Sequence, residues 1–224
     1  MERTDKGLGV LLLLTLFLLY PWRNSVHFSA APTSKQTTKK SSKLPPKRWV
    51  ADKAHSALQF STSHFGTYSL VGRFDSFAIE MFTRKAPKGT LQDFSGAVIR
   101  GKVFIKSVNM PNPKMMGSLK NKEYFNATKF PVATFQSYSM KRISPKLYDL
   151  VGKLTIKGKS TTFRMKAHFG GYSYPNEKDI LGFKVVGHVD RHFFGVGGKH
   201  KLHSGFPLIG GKVKIVLHLR MEAH

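Results

Sequence analysis

His188, His192, His200 and His203 crowd one glycine-rich stretch late in the chain, where neutral imidazoles could bind zinc or copper. Their spacing matches no standard structural zinc pattern, and few carboxylates stand near them. There is no cysteine, which removes thiolate metal sites, disulfides and lipoprotein attachment. No G-x-S-x-G elbow supplies an activated serine. Gly195-Val196-Gly197-Gly198 lacks the strand-to-helix setting of a phosphate-cradling loop. Asn126-Ala127-Thr128 fits a glycosylation sequon, a weak signal in phenylalanine-rich surroundings. No catalytic, cofactor or metal set is therefore assigned. What remains is apolar chemistry: 18 phenylalanines and 8 methionines, spaced to share the inner faces of strands.

Those side chains need a sheet to position them. Val151–Phe169 alternates Leu154 and Ile156 with Lys153, Thr155 and Lys157. After Lys157-Gly158-Lys159 it alternates Thr161, Phe163, Met165, Ala167 and Phe169 with Thr162, Arg164, Lys166 and His168. A period of two with one apolar face predicts an antiparallel hairpin, with Lys153, Lys157, Arg164 and Lys166 on a solvated exterior. Similar alternation predicts strands through Leu58–Thr62, Ser69–Phe74, Phe77–Phe82, Ala97–Ile105, Val132–Tyr138, Leu147–Ile156, Leu181–Val189 and Val213–Leu219. Gly101 within one of them suggests a bulge or close backbone approach. Loops are expected at Lys85–Thr90, Gly170–Asp179 and Arg191–Pro207, and a short helix at Lys114–Phe125. There is no βαβ rhythm and no repeat. The expected fold is all-β with one short helix: a sandwich or an up-and-down barrel, of which an eight-stranded barrel would leave no edge exposed and could hold one small ligand.

The strands occupy only part of the 224 residues. Gly7–Tyr20 is an apolar run with Arg3 and Lys6 before it, too short for a comfortable membrane span. Residues 1–30 therefore read as a signal peptide or an N-terminal membrane anchor through residues 7–22. Ser29-Ala30-Ala31 offers small residues for cleavage, although Pro32 would follow the cut. Either reading exports the domain to a periplasmic or other extracytoplasmic space. Residues 31–48, rich in Ser, Thr, Lys and Pro, read as a flexible linker. The barrel takes residues 49–224. Net charge is +25, of which residues 1–48, with nine Lys/Arg and two Asp/Glu, carry +7 and the rest +18. Such a field favours anionic partners, a phospholipid surface or a pyrophosphate among them, while export argues against nucleic acid.

The chain resembles a known family, the YceI-like, polyisoprenoid-binding proteins, from about Trp49 to Met221. The opening matches Trp49-Val50-Ala51-Asp52, His55-Ser56, Phe60, His64-Phe65-Gly66 and Val71-Gly72-Arg73-Phe74. The middle is similar through Phe104-Ile105-Lys106-Ser107-Val108, Leu119 to Phe125 and Phe130-Pro131-Val132-Ala133-Thr134-Phe135. Later come Gly152–Gly158 and Arg191-His192-Phe193-Phe194-Gly195. The resemblance selects the barrel: it implies an eight-stranded antiparallel lipocalin-like barrel with one short helix, extracytoplasmic, that holds an isoprenoid chain in an apolar tunnel, without catalysis. One departure stands out: where the family often carries an acidic residue and an arginine before the helix, this chain has Asn109, Asn112 and Lys114.

On that reading the ligand is an isoprenoid or quinone-like lipid, lined by Phe60, Phe74, Phe77, Met81, Met115, Leu119, Phe135, Phe163, Met165 and Phe183. The same residues would also make a plain core. Arg73 and Arg191 are cations that could meet a phosphate head group, and either also fits an ordinary structural role. The alternative function is a structural or surface-interaction protein, with a solid core and a basic exterior that binds anionic envelope components. A homodimer is compatible with the sequence.

Overall fold

The computed structural model describes residues 47–84, 93–173 and 179–224. The apolar run at residues 7–20, most of the linker and the loop expected at Lys85–Thr90 lie outside the described residues. The linker's last two residues do not: strand β1 spans Lys47–Ala51. It is followed by β2 (Ala57–His64), β3 (Tyr68–Phe74), β4 (Phe77–Thr83), β5 (Val98–Phe104) and β6 (Val108–Asn109). Helix α1 (Pro113–Lys120) precedes β7 (Val132–Ser144), β8 (Leu147–Ile156), β9 (Lys159–Ser173), β10 (Ile180–Asp190) and β11 (Lys212–Ala223).

All pairings are antiparallel. The ring runs β1-β4-β5-β7-β8-β9-β10-β11 and closes where β11 pairs with β1, giving an eight-stranded barrel. β11 is long enough to hold two partners on one edge. Lys214–His218 pair with β2, and Met221–Ala223 with β1. β2, β3 and β6 thus extend the same three staves as β1, β4 and β5. Each of these staves bends once, and a serine stands at each bend. Ser107 Oγ donates to Phe104 O (2.7 Å) and accepts from Ser76 N (3.0 Å). Ser56 Oγ accepts from Arg220 N (3.0 Å), so the backbone donors freed by bending stay satisfied.

The hairpin at the end of β8 turns through Lys157 and Gly158, both at positive φ (49° and 76°), as a two-residue turn on right-twisted strands requires. One end of the barrel is filled by an aromatic plug. Phe94 lies 4.9 Å from Phe183, 5.0 Å from Phe169 and 5.8 Å from Tyr148, centroid to centroid. Trp49 is fully buried and donates from Nε1 to Thr83 Oγ1 (3.1 Å).

Four local expectations are corrected. The helix stops at Lys120 rather than Phe125, because the chain then folds into turns with Asn126 at φ 51° and Ala127 N bonded to Lys120 O. β7 continues past Tyr138 to Ser144. A register shift between Ser137 and Ser139 changes which parity faces inward, from Ala133 and Ser137 to Met140, and this breaks the period-two signal. β9 continues through Gly170 and Gly171 to Ser173, with Gly171 opposite Gly182; residues 174–178 of the expected loop are outside the described set. Gly101 sits in unbroken register between Ile79 and Phe135, with neither bulge nor close approach: a Cβ there would stand 3.7 Å from Phe135.

Gly152 is the tight position. A Cβ on it would lie 2.4 Å from the backbone oxygen of Gln136, which cannot swing away. Gly152→Ala should destabilise the protein by about 3 kcal/mol in urea unfolding, at the upper end of overpacking costs. Gly117→Ala in α1, where a Cβ meets nothing within 4 Å, should stabilise it by about 0.5–1 kcal/mol.

Candidate functional site

Between the plug and the opposite end the barrel encloses a cavity of about 310 Å³. Its walls are the inward faces of the strands, chiefly aliphatic and aromatic, with Thr62, Ser118, Tyr124 and Thr134 among the few polar groups. Of the predicted lining residues, Phe60, Phe74, Met81, Phe135, Phe163, Met165 and Phe183 stand on the strand walls, and Met115 and Leu119 reach in from α1. Phe77 is buried in the core cluster but does not border the cavity. The walls also include Ile79, Ile99, Leu150, Val185 and Leu217, whose alternation marked them as inner-face positions without marking them as lining.

The cavity stays open because three phenyl rings lie against glycines instead of filling the centre. An added Cβ at Gly72 would meet Phe60 Cζ at 2.3 Å. At Gly152 it would meet Phe135 Cζ at 2.5 Å, and at Gly187 Phe163 Cζ at 2.6 Å. In each case the ring occupies the space that a side chain on a neighbouring strand would otherwise take.

The end away from the plug is capped by α1, by Tyr124 and Phe125 in the turns after it, and by Phe194, Val196 and Ile209 from the long loop between β10 and β11. Nothing periodic in the sequence marks these loop residues. Two cations hold the caps. Arg191, buried, donates from Nε to Gly210 O (2.9 Å) and from Nη1 to Val196 O (2.7 Å). Its Nη2 donates to Ile209 O (2.9 Å) and Gly198 O (3.1 Å). Burial pushes its guanidinium below the ordinary arginine value, and among the described residues no carboxylate is bonded to it. Among the described residues it is the only charged group on the cavity wall.

Lys157, half-exposed on the exterior, does more than face solvent. Its ammonium reaches Gly195 O (2.6 Å), Lys122 O (3.0 Å) and Glu123 O (3.2 Å), joining the β8–β9 turn to both caps. Burial, and then Lys159, depress its pKa. Arg73, by contrast, points outward and pairs with Asp75 (2.6 Å). Asn109, then Arg73, hold the Asp75 carboxyl below its usual range. The four late histidines do not converge: among the described residues no three His, Asp or Glu side chains come together as a metal set.

Residues 49–221 match the family model described as the YceI-like domain. The chain belongs to the YceI-like family. A UPF0312 protein of Staphylococcus aureus (strain bovine RF122 / ET3-1) is 29% identical over 166 residues, covering 73% of this chain and 90% of that protein. Among solved structures, Burkholderia cenocepacia BcnA superposes with a TM-score of 0.64 at 21% identity, over 76% of this chain and 98% of that one. A polyisoprenoid binding domain from Saccharophagus degradans, implicated in plant cell wall breakdown, gives 0.57 at 16% identity, over 79% and 98%. These likenesses show a shared fold.

The family-like motifs fall at structurally demanding places in this YceI-like barrel. His64-Phe65-Gly66 makes the β2–β3 turn, Gly72 accepts the Phe60 ring, and Arg191 ties the loop that follows β10. Arg191→Met would leave four loop carbonyls without their donor. It should cost about 3 kcal/mol or more in urea unfolding, since hydrogen bonds to a charged group contribute about 1.5–3 kcal/mol each and do not add fully. Arg191→Lys should recover little, because a compact ammonium cannot span the guanidinium's fork. Hydrogen exchange should quicken first in residues 196–211.

Proposed function

We propose that this protein binds an isoprenoid or related quinone-like lipid in the barrel cavity, as a non-catalytic carrier or store. One observation carries the reading: an apolar cavity of about 310 Å³ held open by the glycine–phenylalanine contacts. An apolar void of roughly 150 Å³ already stays dry and takes up apolar guests. Left without a guest, such walls face either void or water with few polar partners for it, and both are unfavourable. A bound hydrocarbon offsets that cost, at about 25 cal/mol per Å² of surface removed from water.

The polyisoprenoid-binding name of the Saccharophagus degradans domain supports the same ligand class. Arg191, the charged group on the wall, is the residue we assign to the polar end of the ligand; Arg73 lies outside. No cofactor is invoked. The apolar run near the N-terminus supports an extracytoplasmic location, with residues 7–22 as leader or anchor. The alternative of a solid-core structural protein does not fit a cavity of this size.

Organic extraction and native mass spectrometry of the purified protein should release a co-purified prenyl lipid, and delipidated protein should take up a fluorescent polyprenyl analogue. Gly72→Ala should fold, at a cost of about 1–3 kcal/mol, because Phe60 can yield by swinging into the cavity. That movement should lower uptake at least tenfold, and Phe60→Ala in the same chain should restore it. Protein that carries no lipid and takes up no analogue would refute the proposal.

A further inference from the structure

The rim of the capped end carries features that neither the cavity nor its caps explain. The β2–β3 turn holds Phe65 at φ 54°, before Gly66 at φ 75°. Positions of this kind normally take Asn, Asp or Gly, and a bulky side chain there costs about 1–2 kcal/mol. The strain does not bury the ring, because Phe65 is 46% exposed. Its backbone N–H donates to Leu208 O (3.1 Å), and His64 bridges to Ile209, so the turn lies along the 200–209 segment. That segment presents a second bare ring, Phe206, 64% exposed, at a tight turn where Leu202 N donates to Phe206 O (2.8 Å). Tyr68, across from His64, is 69% exposed. Thr62, Leu70 and Ile209, from the same two segments, border the cavity, so the turns that carry these rings lie beside its end.

Beside them is an open depression lined by the hydroxyls of Ser61, Ser63 and Ser69, by His188 and by the cations Lys212 and Lys214. His188 and Lys214 are directly opposite each other on β10 and β11. Asp190 faces Lys212 in register, but its carboxylate accepts from His192 N (2.9 Å). Solvent-facing aromatic rings, one of them held at a strained turn, next to lysines and hydroxyls have the chemistry of a membrane interface. The rings suit the boundary between head groups and acyl chains, and the lysines and hydroxyls suit phosphates.

We propose that this rim docks on an anionic phospholipid bilayer, with Phe65 and Phe206 inserted and Lys212 and Lys214 on lipid phosphates. The inference goes beyond the identity of the cavity's occupant, and its test does not depend on that occupant. The chain has no cysteine, so one label site can be placed at will. Full-length Phe206→Cys and Tyr138→Cys would each carry an environment-sensitive fluorophore. Tyr138 is 64% exposed on β7, four staves round the barrel from β11. Both proteins keep residues 1–46, so any difference between the labels belongs to the rim.

With phosphatidylglycerol–phosphatidylcholine vesicles, the label at 206 should shift to the blue and be quenched by nitroxide lipids, and the label at 138 should not. Lys212→Gln and Lys214→Gln should each lower the docked-to-undocked ratio about fivefold, from about 1 kcal/mol per basic residue at an anionic surface. Polyprenyl uptake by the same variants, measured separately, should not change. A label at 206 that responds no more than the one at 138, or equally to neutral and anionic vesicles, overturns the proposal.

Discussion

Everything particular to this barrel depends on where three phenyl rings lie. In a small eight-stranded barrel the inward side chains ordinarily fill the interior. Here Phe60, Phe135 and Phe163 lie against the backbone of Gly72, Gly152 and Gly187, at distances that leave no room for a methyl group. Each glycine weakens its strand locally, by conformational entropy and by lack of a side chain to pack. The ring laid over it returns the missing contact from the neighbouring strand. The arrangement therefore keeps the apolar area of a filled core while moving the atoms out to the wall, and a cavity of about 310 Å³ is what remains.

The charge composition has a related consequence. With 37 Lys and Arg against 12 Asp and Glu, most cations cannot find a carboxylate. Two of them bind backbone carbonyls instead. Arg191 collects four carbonyls from a loop with no regular ladder, and Lys157 collects three, two from the turns after α1 and one from the loop after β10. Such loops cannot satisfy their polar groups by pairing with a strand, so a multidentate donor is an effective substitute. The same residue types on β9, β10 and β11, at exposed positions such as Arg164, Lys184 and Lys214, project to solvent and create the positive exterior.

Alternation made the interior legible wherever a strand keeps one phase. Phe163 and Met165 in β9, Phe183 in β10 and Met81 in β4 could be placed from spacing alone, and all four border the cavity. Beyond Tyr138 the signal was lost, because the bulge in β7 moves Met140 onto the parity that had faced outward. Period two also cannot distinguish a residue that lines a cavity from one that is merely buried: Phe77 satisfies the pattern and sits elsewhere in the core. Arg191 was legible as a candidate but not in its role, since its partners extend from Val196 to Gly210 across a segment with no periodicity. The glycines reveal least of all. In a strand, a glycine reads as a weakness until the ring that covers it is seen.

The two ends of the barrel are held by different physics, which bears on how a guest enters. At the plugged end Trp49, Phe94, Tyr148 and Leu181 are almost fully buried, and opening it would expose large aromatic surface to water. At the capped end the ties are side chain to backbone, and the turns and loop they join share few ladder bonds with the barrel. Phe194 and Val196 are buried there as well, but they belong to the loop that Arg191 ties, so releasing those hydrogen bonds to water frees the loop as a unit. Local opening is drawn from the less stable parts of a fold. The capped end, edged by Phe65 and Phe206, is therefore the end that can open without disturbing the ring of strands around the cavity.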